Sequence, residues 1–308
     1  PDITNGKFNK KNTELEKQYL LDTIDAEIND KRTYATIRCK DVMCAEELCS
    51  IKKYGYREDA MKITPESAAK AYEELLRTAR VEIMFEGCGD PTLAKDIFAQ
   101  KFAGVKREPI VLSRSLVKAQ QGAVKEETER MDVKQGKLVM GFRVEGIEDY
   151  RRMNMARITF ALFGGTANSL LFKNVREKMS LCYYCSSGYD RSNSIMMVSS
   201  GVEAENAQKA RDEVLHQLEM LKNGEFTDRE LEETKLFIRT ALMATSDSLG
   251  AMDSWYLAQT VGGSEVSPDM EIELSAQVSR EDVIWVANHT HLDTVYMLMP
   301  NENQKEAE

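Results

Sequence analysis

The sequence predicts an α+β protein made of two copies of one domain, each an antiparallel-rich sheet with helices on one face. Two internal echoes and the order of elements carry that reading. "FNKKNTELEKQYLLDTI" (8–24) is matched by "FTDRELEETKLFIRTAL" (226–242), each a charge-rich amphipathic helix entered through a polar turn. "ITPESAAKAYEELLRTARVEIMF" (63–85) has the same order as "VSREDVIWVANHTHLDTVYML" (278–298): an N-cap (Thr64, Ser279), a helix, then a strand. The offset of about 215 residues is far too long for a solenoid repeat and suits a duplicated domain. With a second copy starting near Glu126, the first is expected to begin roughly 90 residues before Pro1. The chain therefore reads as about one and a half domains, the first truncated at its N-terminus, and a first residue other than Met agrees with a fragment or processed product. A length of 308 residues also suits about two domains.

The expected layout is the C-terminal part of a first domain over 1–104, a linker over 105–125 and a complete second domain over 126–308. The stretch 103–129 mixes charge with a Pro, has no sustained helical period and reads as the connection. In the second copy, strand "KLVMGFRV" (137–144) leads to helix "DYRRMNMARITFALF" (149–163), which Gly164-Gly165 should stop. Helix "NSLLFKNVREKM" (168–179) feeds strand "LCYYCSS" (181–187), and the turn "DRSN" joins it to "SIMMVSSGV" (194–202) as a hairpin. Helix 205–223 ends at Gly224, Thr227 with Glu230 forms a capping box for the next helix, and a final helix and strand close the copy.

Composition excludes several functions. The formal charge is −10, and Lys and Arg are interspersed with Asp and Glu, so no basic footprint for nucleic acid exists. No apolar run of about 18 residues and no signal-peptide pattern occurs, which predicts a soluble cytoplasmic chain without a membrane partner. Six dispersed cysteines suit a reducing compartment. Cys182 and Cys185 could chelate or cycle redox, but three residues apart on a strand they should point to opposite faces and pack separately. Cys39, Cys44 and Cys49 recur every five residues in an expected helix, which would walk them around its surface. The Gly-rich phosphate, dinucleotide and serine-nucleophile motifs are absent. His289, His291 and Asp293 form an H-x-H-x-D string that could hold a metal, although His at a helix-to-strand junction commonly satisfies terminal carbonyls. His216 reads as a helix-surface residue, and Met140, Met196 and Met197 as strand core.

Chemistry concentrates in "LFGGTANSLLFKNVREKMSLCYY" (162–184), where Arg176 precedes Tyr183 by seven residues. Taken alone, the pair reads more simply as an Arg favoured at a helix C-terminus beside a packed Tyr. The stretch resembles the second domain of the pitrilysin family of zinc peptidases, which includes insulysin and the mitochondrial processing peptidase. "GEFTDRELEETK" (224–235) and "QGKLVMGFRV" (135–144) are similar too, the latter most of all to the zinc-free bacterial subunit that carries the Arg/Tyr pair. The resemblance implies duplicated domains closing around a peptide, with Arg176 and Tyr183 holding the peptide backbone and its oxyanion.

The family's H-x-x-E-H zinc motif is absent. Ala156, Thr159 and Phe160 stand in its place, none of them an imidazole or carboxylate. Glu14 is a weak match to the family's third zinc ligand, with Glu16 close by, and both also read as charged helix surface. No cofactor is expected in this chain; zinc is expected on a partner or on a missing N-terminal segment. The expected function is a zinc-free subunit or fragment, inactive alone. It would bind peptide as a strand added to a sheet edge and serve a catalytic subunit or a homodimer. The alternatives are the C-terminal region of an active zinc metalloendopeptidase whose motif lies upstream, and a non-catalytic scaffold protein.

Overall fold

A computed structural model describes residues 3–111, 119 and 122–301 and falls into two compact units, Pro1–Asn29 with Ile51–Arg114, and Asp30–Ser50 with Ser115–Glu308. In the first unit, α1 (Lys10–Ala26) starts on an Asn9 cap. The next helix, α2 (Lys31–Met43), is capped by Asp30 and belongs to the second unit. The first unit resumes with α3 (Arg57–Ala60), α4 (Pro65–Thr78) and α5 (Pro91–Phe102). Thr64 caps α4 as expected, and the structure shows it doing so in a capping box with Ser67. The expected strand after α4 does not form: residues 80–86 have no ladder among the described residues, because this unit holds no second strand to pair with. Its Val81, Ile83 and Phe85 instead line an apolar hollow with Phe98 and Phe102 of α5.

The second unit is a five-stranded sheet ordered β1-β5-β2-β4-β3, with β1 at Lys125–Met131, β2 at Gly136–Val144, β3 at Cys182–Asp190, β4 at Ile195–Val202 and β5 at Thr290–Pro300. Three pairings are antiparallel and β1–β5 is parallel. β1, "KEETERM", begins within the stretch read as a connection and runs two residues past it. A strand this charged shows no hydrophobic alternation, and its charges suit an edge that must not recruit another chain. Helices follow in the order α6 (Tyr150–Phe160), α7 (Ala207–Lys222), α8 (Asp228–Met243), α9 (Leu249–Gly262), α10 (Pro268–Ala276) and α11 (Arg280–Asn288).

Alternate residues of the central strands serve opposite faces. Leu138, Met140, Phe142 and Val144 of β2, with Met196 and Val198 of β4, pack under α6, α7, α8 and α11. The other face is also covered. Ala35 and Cys39 of α2 pack with Val139, Tyr296 and Leu298, and Met43 packs with Ile195. A Cβ on Gly141 would stand 2.7 Å from the Met43 Sδ, so this glycine is what lets α2 lie close. Gly224 adopts φ +74° and ends α7, and Thr227 with Glu230 forms the capping box of α8. Gly164-Gly165 does not stop its helix in the expected way. The helix runs on through a π-helical turn, Ala161–Gly165, and a Cβ on Gly164 would meet the Ser187 amide of β3 at 2.7 Å. No helix among the described residues is long and apolar enough to cross a membrane.

Candidate functional site

Arg176 lies near the end of a second π-helical segment, Phe172–Lys178, which delivers the chain to β3. Its guanidinium sits 4.5 Å over the Phe172 ring and 3.6 Å from the Glu177 carboxylate, leaving part of its donor fork open to solvent. The turn into the strand needs Ser180 at φ 52°, and the Leu181 amide donates to the Val175 carbonyl at 3.1 Å. At the start of β3 the register with β4 shifts: Cys182 pairs with Val202 and Tyr184 with Gly201, so Tyr183 is the extra residue of a β-bulge. The bulge aims Tyr183 outward, 61% exposed, and its hydroxyl donates to Glu203 Oε1 at 2.8 Å. That donation to a carboxylate, and the carboxylate's charge, raise the phenol above its ordinary range, so at neutral pH it keeps its proton.

The bulge also overturns the expectation for the two thiols. An inserted residue reverses the alternation, so Cys182 and Cys185 both face the helix-side core, where they share a hydrogen bond. Cys182 is pulled down to about 7, first by the thiol donated from Cys185, against the effect of burial, then by Ser200 and the nearby Arg176 charge. Arg176 and Tyr183 thus flank a half-buried thiol, with no hydrogen bond between them. Tyr184 turns to the opposite face, where the Arg32 guanidinium lies 4.2 Å over its ring and donates to Ser186 Oγ at 3.1 Å. Neither Glu203 nor Arg32 stands out in the sequence, because each reaches the site from a distant segment.

The helix that would carry a zinc motif does not fit one. Ala156, Thr159 and Phe160 are buried in α6, and the Thr159 hydroxyl donates back to the Met155 carbonyl at 2.8 Å. Glu14 is on exposed α1, 2.8 Å from Lys17 Nζ. His289 stacks on Trp285 with ring centroids 3.9 Å apart, and its Nδ1 is 2.8 Å from the Trp285 carbonyl. Asp293 is held by Arg143 instead, at 2.7 Å. His289, His291 and Asp293 therefore do not assemble into a three-ligand group.

The second unit is thus a mixed five-stranded sheet under helices, with Tyr183 on its edge strand β3 and no imidazole or carboxylate at Ala156, Thr159 or Phe160 of α6. Residues 62–236 match the family model described as the peptidase M16 inactive domain, and the chain belongs to that family. It is 27% identical over 302 residues to the probable inactive metalloprotease YmfF of Bacillus subtilis, covering 98% of this chain and 71% of that protein. An uncharacterized zinc protease of Rickettsia bellii is 25% identical over 173 residues, which is 51% of this chain and 39% of that one. Among solved structures, a conserved protein from Enterococcus faecalis superposes with TM-score 0.88 at 24% identity, covering 98% of this chain and 71% of that one. A peptidase M16 inactive domain from Pseudomonas fluorescens does so with TM-score 0.78 at 20% identity, covering 96% and 72%.

Proposed function

We propose that this chain is the zinc-free, peptide-holding member of a two-chain M16 peptidase, with Arg176 and Tyr183 as the donors to substrate. The observation that carries the reading is the position of Tyr183 on β3, the edge strand of the sheet, at the end of the segment that holds Arg176. An edge strand offers a row of backbone groups to which an extended peptide adds, reading main chain more than side chains. A peptide there would pass a forked, permanently charged donor and a protonated phenol, the groups suited to a carbonyl that gains negative charge. Hydrolysis itself belongs to a partner, since the motif helix supplies no ligand. The six cysteines are all free thiols, and the compartment we infer is the cytoplasm.

The test is reconstitution with a zinc-bearing M16 subunit and a fluorogenic peptide. R176A and Y183F are each expected to lower kcat/KM by about 10²–10³-fold while leaving the melting temperature in place. Activity within a few-fold of the parent would remove the site assignment and favour a scaffold role. Peptide cleavage by a longer form of the chain alone, lost on chelation, would establish the endopeptidase reading instead.

A further inference from the structure

The five-residue spacing of Cys44 and Cys49 does not continue a helix. α2 ends at Met43, the Glu47 amide donates to the Cys44 carbonyl at 2.8 Å, and the Ser50 amide donates to the Glu47 carbonyl at 3.0 Å. These two tight turns fold the chain back on itself. A thiol of Cys44, a thiol of Cys49 and a carboxylate oxygen of Glu47 then all lie within 4.8 Å of one another, the one such three-ligand group among the described residues. From these contacts we propose that Cys44, Glu47 and Cys49 bind a thiophilic divalent cation of the zinc class, at a site separate from any peptidase motif.

Four features support it. The donor set is two sulfurs and one carboxylate oxygen, which suits Zn²⁺ and leaves its fourth tetrahedral position for water. The carboxylate is already oriented: Arg143 donates to both Glu47 oxygens, at 2.5 and 3.2 Å, and is itself fixed by Asp293 at 2.7 Å. A ligating carboxylate is ordinarily hydrogen-bonded in this way, and each oxygen keeps a second lone pair for the metal. Access is graded, with Cys44 buried and Cys49 partly open to solvent. Charge also favours a divalent ion. Arg143 and Lys125, which donates to the Val42 and Met43 carbonyls, offset Glu47 and Asp293. Exchanging two thiol protons for one divalent cation leaves that formal balance unchanged, whereas a monovalent ion would leave an excess negative charge.

The test is titration of the reduced, metal-stripped chain with Co²⁺ and then Zn²⁺. The expected result is one Co²⁺ per chain with thiolate-to-cobalt charge-transfer absorption, bleached by one equivalent of Zn²⁺. C44S and C49S should abolish that band, E47Q should weaken binding by about tenfold or more, and C182S/C185S should change nothing. C49S alters a partly exposed ligand and guards against a folding artefact, checked by circular dichroism. Absence of a stoichiometric cobalt band, or a band that survives C49S and disappears in C182S/C185S, overturns the proposal. Either result is independent of R176A and Y183F, so the peptide-holding role stands or falls separately.

Discussion

One inserted residue decides the chemistry of Cys182. With Tyr183 bulged out, Cys182 and Cys185 share a face, and the donated Cys185 thiol together with Ser200 and Arg176 outweighs burial in holding Cys182 near 7, while Cys185 is pushed well above the ordinary thiol range. A lowered thiol is thiolate above its midpoint, so alkylation of Cys182 by iodoacetamide should rise through pH 7 and Cys185 should stay unlabelled. R176A should move the midpoint upward. Peptide mass mapping across pH checks this, and a Cys182 midpoint near the free-thiol value of about 8.5 would show that the cluster does not form. Arg143 is a second position where one side chain carries much. It is 4% exposed and bridges Glu47, 96 residues away, to Asp293, 6% exposed. R143M leaves two carboxylates without their cation and should cost about 3–5 kcal/mol in urea unfolding, more than a packing change of that size. Spacing within a sequence reveals partners that are close along the chain, and this network joins residues that only the fold brings together.

At the scale of elements, legibility followed range. Caps are local chemistry, so Thr64, Thr227 and Ser279 were readable, and all three form capping boxes. T227A should lower stability by about 1 kcal/mol, read from the shift in urea midpoint at unchanged slope. Strand β1 was not readable, because it is stabilised by pairing with β5 across more than 160 residues and not by any periodicity of its own. The reverse failure occurred at residues 80–86, where strand-like alternation finds no partner strand. The bulge at Tyr183 was hidden for a related reason: the register with β4 sets it, and an assumed two-residue alternation placed Cys182 and Cys185 on opposite faces. Gly201, the residue opposite Tyr184, makes that register testable. A Cβ there would stand 2.5 Å from Tyr184 Cε1 and 2.9 Å from Gln135 Oε1. G201A should push the ring from beneath Arg32 and cost about 1–3 kcal/mol; a neutral substitution would mean that the Tyr184 pocket is looser than this packing.

For the whole molecule, the second unit is not a continuous stretch of sequence. Segment Asp30–Ser50 belongs to it although the first unit's Ile51–Arg114 intervenes before the sheet begins. Nothing in "KRTYATIRCKDVM" announces this, since its apolar residues are scattered among charged ones and its partners are roughly 90 to 260 residues further on. The Arg176–Tyr183 spacing, by contrast, was visible because helix, turn and strand are consecutive. The discontinuity has a consequence for any minimal version of the sheet. Residues 122–301 alone would bare the face that holds Val139, Ile195, Tyr296 and Leu298, and would leave Arg143 without Glu47. Burying Ala35, Cys39 and Met43 against that face is worth on the order of 5 kcal/mol. This fragment should therefore bind a hydrophobic dye and self-associate, and a synthetic peptide of residues 30–50 should bind it, suppress the dye signal and restore a cooperative melt. The peptide carrying R38E should rescue poorly, since Arg38 pairs with Glu127 at 3.0 Å and Glu129 at 3.6 Å on β1. A fragment that is monomeric and melts where the full chain does, indifferent to the peptide, would show that the sheet needs only one covered face and that α2 is a passenger on it.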